Sequence, residues 1–203
     1  MVSTAELARS LRVAVACVLV TGLGLALALP RGAGSAGRSH DSSTSGRSTS
    51  DTVAARNAAG EAALALVSFR PADVGYTLQF APPRAGIRAQ MDPAQHLITI
   101  FLDTDDASHR VAHDIAHELG HAFDNRSLDD TLRHGWLEAR GKPDAAWWPG
   151  NQPSDYNTGA GDYAEVFALC HAPSPEFRSR LAPRPADPCG LLAAWAPGIL
   201  VRR

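Results

Sequence analysis

Val111-Ala112-His113-Asp114-Ile115-Ala116-His117-Glu118-Leu119-Gly120-His121-Ala122-Phe123 is the stretch on which the reading of this chain turns. Val111, Ile115 and Leu119 recur every four residues, which places them on one helix face, and His113, His117 and His121 recur every four on a neighbouring stripe. A structural helix needs only the apolar stripe; a buried metal site on a helix needs both. Within the stretch, His117-Glu118-Leu119-Gly120-His121 has the form HExxH. Two imidazoles one turn apart can grip one Zn²⁺, and Glu118 is then placed to act as general base on a zinc-activated water. His113-Asp114-Ile115-Ala116-His117 is a rival HDxxH. The second pair is preferred because Glu118 reaches further than Asp114 and Gly120 permits close packing beside a site. His113 then reads as a polar residue at the rim.

Working outward, Asp103-Thr104-Asp105-Asp106 offers N-caps and acidic charge for a helix running from about Ala107 to Phe123 or Asp124. Before it, Tyr76 to Phe80, Ile87 to Met91 and His96 to Leu102 read as strands, the last rich in β-branched and aromatic residues, with a turn at Asp92-Pro93. Residues 53–69 read as an Ala-rich helix weakened by Gly60 and closed by Pro71. After the histidine helix come a short segment at 131–140 and a long loop at 142–161 carrying Trp147, Trp148 and Tyr156. The tryptophans can line a cleft or cover the domain's edge. A second helix follows at Asp162-Tyr163-Ala164-Glu165-Val166-Phe167-Ala168-Leu169-Cys170-His171, then a Pro-rich segment from Pro173 to Pro188 that reads as a surface tail. The expected fold class is α+β: a small, mostly antiparallel sheet packed on the site helix, followed by a helical C-terminal part.

The chain has 203 residues, 45% of them hydrophobic, and a formal net charge of −2. That length allows one domain with a sizeable core, and the near-balanced charge gives no electrostatic case for nucleic acid. Ala, Arg, Gly and Pro are abundant, a composition common in GC-rich bacterial chains. Arg9 and Arg12 precede an uncharged run from Val13 to Leu29, followed by small residues, the order of a secretory signal. Residues 1–30 are therefore read as a signal peptide or an uncleaved signal anchor, residues 31–52 as a disordered Gly/Ser/Thr linker, and residues 53–203 as the folded domain. Contact with a membrane is expected only if the N-terminal segment stays as an anchor. Beyond the signal the chain keeps Cys170 and Cys189, which in an oxidising compartment suggests one disulfide.

HExxH followed some 40 residues later by an acidic helix is the layout of a three-ligand zinc site with its fourth position open. HELGHAFD followed by DYAEVFA resembles the zincin metallopeptidases of the gluzincin kind, in particular the lethal-factor-like branch and related small secreted bacterial peptidases. The resemblance spans roughly His96 to His171. It implies a zincin-like metallopeptidase domain, a peptide or protein substrate, Zn²⁺ as the cofactor, and His117, His121 and a carboxylate from the second helix as metal ligands. In that branch the ligand is a Glu four residues before the Glu of the second motif; here that position is Gly161. Asp162 is then the first choice as third ligand, with Glu165 orienting His117 from behind. The rival is Glu165 as ligand with Asp162 as helix cap, and Asp124 is a further alternative, against its reading as a helix-end cap. The resemblance also implies a Tyr that stabilises the oxyanion, for which Tyr156 is the candidate and Tyr163 the packing residue.

These readings together imply a secreted zinc metalloendopeptidase acting as a monomer. The alternatives are a non-catalytic extracellular zinc-binding domain retaining the zincin fold, and a structural secreted domain without metal. His96 to Leu102 is the expected edge strand for pairing with a peptide.

Overall fold

The computed structural model describes residues 49–152 and 154–196. The signal segment read at 1–30 and most of the linker read at 31–52 lie outside the described residues. Helix α1 (Thr49–Leu64) begins inside the stretch read as linker and runs through Gly60 without a break. Gly60 is buried there because the Phe80 ring lies where a side chain would start, so this glycine marks a helix–strand contact.

Three strands follow: β1 (Thr77–Ala81), β2 (Ala89–Asp92) and β3 (Leu97–Phe101), in the order β1-β3-β2. β2 pairs antiparallel with β3 across the turn at Asp92, whose Oδ1 accepts from Ala94 and Gln95 N–H. β1 pairs parallel with β3, Thr77 opposite Leu97 through Ala81 opposite Phe101. The sheet is therefore mixed, and the expectation of a mostly antiparallel sheet is corrected. Chain order alone does not give a strand's direction, because the chain goes from β1 to the far edge, β2, before β3 is laid down between them. The same topology makes β3 central, so it is not the edge strand it was expected to be; β2 is an edge. β3 alternates, with Ile98 and Ile100 fully buried, because one of its faces lies on the helices.

Helix α2 (Ser108–Ser127) carries the histidine stripe. Every residue from Val111 to Gly120 is buried, which is the mark of a helix covered on all sides. The cover comes from α1, from β2 and β3, and from α4. The expected acidic cap is not used: the N-cap is Ala107, and Asp106 turns back to accept the N–H of Asp103. α3 (Asp130–Ala139) starts on Asp129, whose side chain accepts from Leu132 N–H. α4 (Gly159–His171) starts one turn earlier than the composition suggested, on Thr158, whose hydroxyl accepts from Gly161 N–H. α5 (Pro188–Trp195) closes the described part.

The main helix pair is α2 with α4. At their crossing a Cβ on Gly120 would lie 2.9 Å from the Ala164 Cα. Glycine against alanine lets the two backbones come this close, and that brings Glu165 up against the histidine stripe. Phe123, Phe167 and Phe69 fill the space on one side of the crossing, and Tyr163, Trp136 and Trp195 fill it on the other. Among the described residues no helix is long and apolar enough to cross a membrane.

Cys170 and Cys189 form a disulfide with Cα atoms 5.0 Å apart. It joins the end of α4 to the start of α5 and so closes the Pro-rich segment between them into a strap. That segment is no loose surface tail. Arg110 and Glu176, Ser179 and Asp162, and Arg140 and the Pro183 carbonyl tie it to α2, α3 and α4.

Candidate metal centre

α2 presents His117 and His121 from successive turns, with their rings edge to face and centroids 4.8 Å apart. The third group that meets them is Asp155, from the loop ahead of α4. Asp155 Oδ2 lies 2.7 Å from His121 Nε2 and 3.4 Å from His117 Nε2, and the two Nε2 atoms are 3.1 Å apart. Among the described residues these three form the one cluster of His, Cys, Asp or Glu with metal-ligand spacing. Tetrahedral Zn²⁺ with bonds of about 2.0–2.1 Å sets its donors about 3.3 Å apart. Two of the three distances lie within a few tenths of an ångström of that value, and the shorter one is a hydrogen bond that a metal would replace. Two imidazoles and a carboxylate are also a donor set that Zn²⁺ accepts. The residues present therefore fit the ion.

The expected third ligands lie elsewhere. Asp162 is fully buried and its carboxylate is saturated. It accepts from Arg140 Nε and Nη2 at 2.7 and 3.1 Å, from Trp136 Nε1 at 3.1 Å and from the Ser179 hydroxyl at 2.6 Å. Its place one residue after Gly161 turns it toward α3 and the strap, away from the histidines, so the first choice for third ligand is corrected. It is not the helix cap either, since Thr158 holds that place. Asp124 is likewise taken, by Arg133 Nε at 2.9 Å and Trp147 Nε1 at 2.8 Å. Burial pushes its carboxyl pKa up, and those two hydrogen bonds work against the rise.

Glu165 sits behind the pair. Its Oε1 lies 2.9 Å from His117 Nδ1 and 3.2 Å from His113 Nε2, and its Oε2 accepts the backbone N–H of Arg178. Burial opposes ionisation of this carboxyl, yet the hydrogen bonds from His113 and His117 outweigh it and hold the pKa far below the usual range. An anionic Glu165 on Nδ1 fixes the His117 tautomer and leaves Nε2 turned toward His121 and Asp155. The orienting role expected for Glu165 matches this geometry; the rival reading of Glu165 as ligand does not. Replacing Glu165 with Gln is expected to weaken zinc binding about 10–100-fold, measured by competition with a chromophoric chelator. Unchanged affinity would show that the contact does not orient the ligand.

His113 is fully buried, not at the rim, because α4 covers the stripe one turn before His117. Its Nδ1 is a buried atom with no hydrogen-bond partner among the described residues.

Gly161 explains how the loop carboxylate reaches the site. A Cβ there would lie under 3.0 Å from the Asp155 carbonyl oxygen, carbonyl carbon and Cγ. The Asp155 backbone is seated against the first turn of α4, where its carbonyl accepts both the N–H and the hydroxyl of Thr158 at 2.8 and 2.7 Å. A side chain at 161 and Asp155 in this position exclude each other. Gly161→Ala is therefore expected to displace Asp155 and lower zinc affinity at least about 10-fold while α4 gains helix propensity. Equal zinc affinity in the variant would sink that account.

Glu118 is buried beside the pair. Burial raises its carboxyl pKa, and the histidines pull the other way. Burial opposes a charge on His117, yet hydrogen bonds to Asp155 and Glu165 raise its pKa well above the ordinary value; the same bonds hold Asp155 far down against its own burial. Tyr156 follows Asp155 and stands edge-on to His117, ring centroids 5.8 Å apart, with its hydroxyl 3.4 Å from Arg178 Nη1. Tyr163 is buried in the aromatic core, where burial raises its pKa, and lies away from the cleft.

His117, Glu118, His121, Asp155, Tyr156 and Arg178 line one cleft of about 530 Å³. Its other wall is β2 with the residues before it, Gly86 to Met91. Trp147 and Trp148 do not line it; Trp147 packs on the core and Trp148 is exposed. Sequence reasoning missed two residues, Asp155 and Arg178. Asp155 had one signal, its position next to Tyr156, and Arg178 had none inside a Pro-rich segment. Searches against models of protein families, against curated proteins and against solved structures found no match to this chain.

Proposed function

We propose that this chain is an exported zinc metallopeptidase with a zincin-like domain, in which His117, His121 and Asp155 hold the metal and Glu118 is the general base. The observation that carries the proposal is the convergence of three zinc-type donor atoms within 3.4 Å of one another, in the same cleft as a buried glutamate. Zn²⁺ bound there would supply Lewis acidity, polarising a peptide carbonyl and bringing the pKa of water toward about 7.

The protein's own groups account for the rest. Glu118 accepts a proton from the attacking water and passes it to the amine nitrogen as the C–N bond breaks. Its buried position raises its pKa, which favours its holding the proton between the two transfers. Glu165 holds His117 in register. Tyr156, whose ring stands edge-on to His117, would donate its hydroxyl to the carbonyl oxygen as negative charge develops there. β2 is an edge strand on the cleft wall, and its free side can hydrogen-bond an extended peptide main chain. That role passes to β2 from the strand at His96 to Leu102.

The alternative, a zinc-binding domain without catalysis, drew its support from the missing carboxylate at Gly161. Asp155 supplies a carboxylate by another route. The test is metal analysis of the purified protein together with digestion of a broad peptide library. About one zinc per chain and chelator-sensitive cleavage are expected. Zinc without cleavage of any peptide would leave the non-catalytic reading, and no zinc would remove both.

A further inference from the structure

On the wall of the cleft away from the metal ligands, two arginines converge on one buried carboxylate. Asp114 lies on α2 one turn before Glu118 and is 3% exposed. A carboxylate that deep needs a cation, and one guanidinium would serve. Two are present. Arg88, just before β2, donates from Nε to Asp114 Oδ2 at 2.8 Å and places Nη2 2.8 Å from the same oxygen. Arg178, from the strap, donates from Nη1 to Oδ1 at 2.7 Å.

The two arginines are not equivalent. Arg178 is fully engaged, with Glu176 as a second carboxylate partner and Tyr156 at its Nη1. Arg88 has only Asp106 near Nη1, at 3.8 Å, beyond hydrogen-bond reach. Its side chain is 39% exposed and lines the cleft. Apart from the metal-site residues and Glu118, the charged residues lining the cleft are these two arginines and the covered Asp114. Gln90, Gln152 and Ser154 add neutral polarity.

We propose that Arg88, braced by Asp114 and Arg178, is a carboxylate-reading subsite, and that the cleft selects peptides bearing a carboxylate close to the bond to be cut. A guanidinium is a strong partner for a carboxylate, and Arg88 Nη1 lies outside its bonds to Asp114, so it can donate to a ligand carboxylate. Asp114 and Glu118 are four apart on one helix face, so their Cβ atoms are about 6 Å apart. An extended peptide advances about 3.3 Å per residue. The recognised carboxylate therefore falls within about two residues of the scissile bond, as an Asp or Glu side chain or as the free C-terminus. The first source makes the protein an endopeptidase for acidic sequences and the second a carboxypeptidase.

This inference rests on the peptidase reading for its meaning, but binding tests it separately. Three N-acetylated peptides of one frame are compared on the full zinc-loaded chain: Glu with a C-terminal amide, Gln with a free C-terminal carboxylate, and Gln with an amide. Affinity is measured on the Glu118→Gln variant and kcat/KM on the unaltered protein. At least one carboxylate peptide is expected to bind about 10-fold or more tightly than the neutral one, and which one does so identifies the source. In Arg88→Gln that ratio is expected to fall to about 2 or below, and in Arg88→Glu a Lys-for-Glu peptide is expected to become the better ligand. Zinc content and the circular dichroism spectrum of each variant report folding independently. Equal binding of all three peptides, no binding of any, or a preference that survives both Arg88 variants would overturn the proposal. Selective binding without cleavage would uphold the subsite and remove the peptidase reading.

Discussion

Asp155→Ala should lose zinc and keep its fold, whereas Asp162→Ala should keep its zinc affinity and lose stability. Asp155 stands in a loop, and among the described residues its carboxylate meets the two histidines. Removing it takes one of three donors from the metal, for which a loss above about 100-fold in affinity is expected, since altering even a group behind a ligand costs about 10–100-fold. Asp162 lies in the core, with Arg140 beside it and also almost fully covered. Truncating it leaves a buried guanidinium without its partner and strips acceptors from Trp136 and Ser179. Breaking a buried pair from one side costs about 3–5 kcal/mol, which in a domain of this size lowers Tm by on the order of 10 °C. Thermal denaturation in the presence of chelator reads the second effect, and competitive zinc titration at low temperature reads the first. A stable Asp162→Ala protein that has lost its zinc would return the ligand role to Asp162.

Glu118→Gln is the second large effect. The amide has nearly the same shape and cannot take a proton. A drop in kcat/KM of roughly 10²–10⁴-fold is expected with zinc content unchanged. The burial that raises the Glu118 pKa also makes the change benign for stability, because it removes a charge from a place that disfavours it. Full activity in the variant would refute the proposed chemistry, and loss of zinc along with activity would mean that Glu118 supports the metal site instead.

Much of the site was legible along the chain because it is local to helices. The four-residue repeat of His117 and His121 needs only helix geometry, and Glu118 follows from the same register. Glu165 was readable as the partner of His117 because Gly120 and Ala164 permit the close crossing of α2 and α4. The pairing of Cys170 with Cys189 followed from there being two cysteines left to pair. The strand positions at 76–80, 87–91 and 96–102 were right to within about two residues, since β-branched and aromatic runs mark strands wherever they pair.

Most of what depends on contacts between distant segments had to come from the folded molecule. The parallel pairing of β1 with β3, and with it the identity of the edge strand, is a matter of topology, which composition does not encode. Arg178 looks like one more residue of a Pro-rich tail until the strap is seen to pass behind Glu165 and beside Asp114. His113 reads as a rim residue until α4 is laid over it.

The third ligand shows the division most sharply. Asp162, Glu165 and Asp124 are the carboxylates that the sequence offered, and helix register favours Asp162; Asp155 was not among them. The sequence by itself determined that two histidines at metal-ligand spacing and a glutamate between them lie on one helix, and it led to the expectation of a carboxylate from the region of the second. Tertiary structure decided which carboxylate meets the histidines, because a buried carboxylate goes to whatever cations and donors surround it. Arg140, Trp136 and Ser179 surround Asp162, and the bare Cα of Gly161 leaves room for Asp155 to meet the histidines.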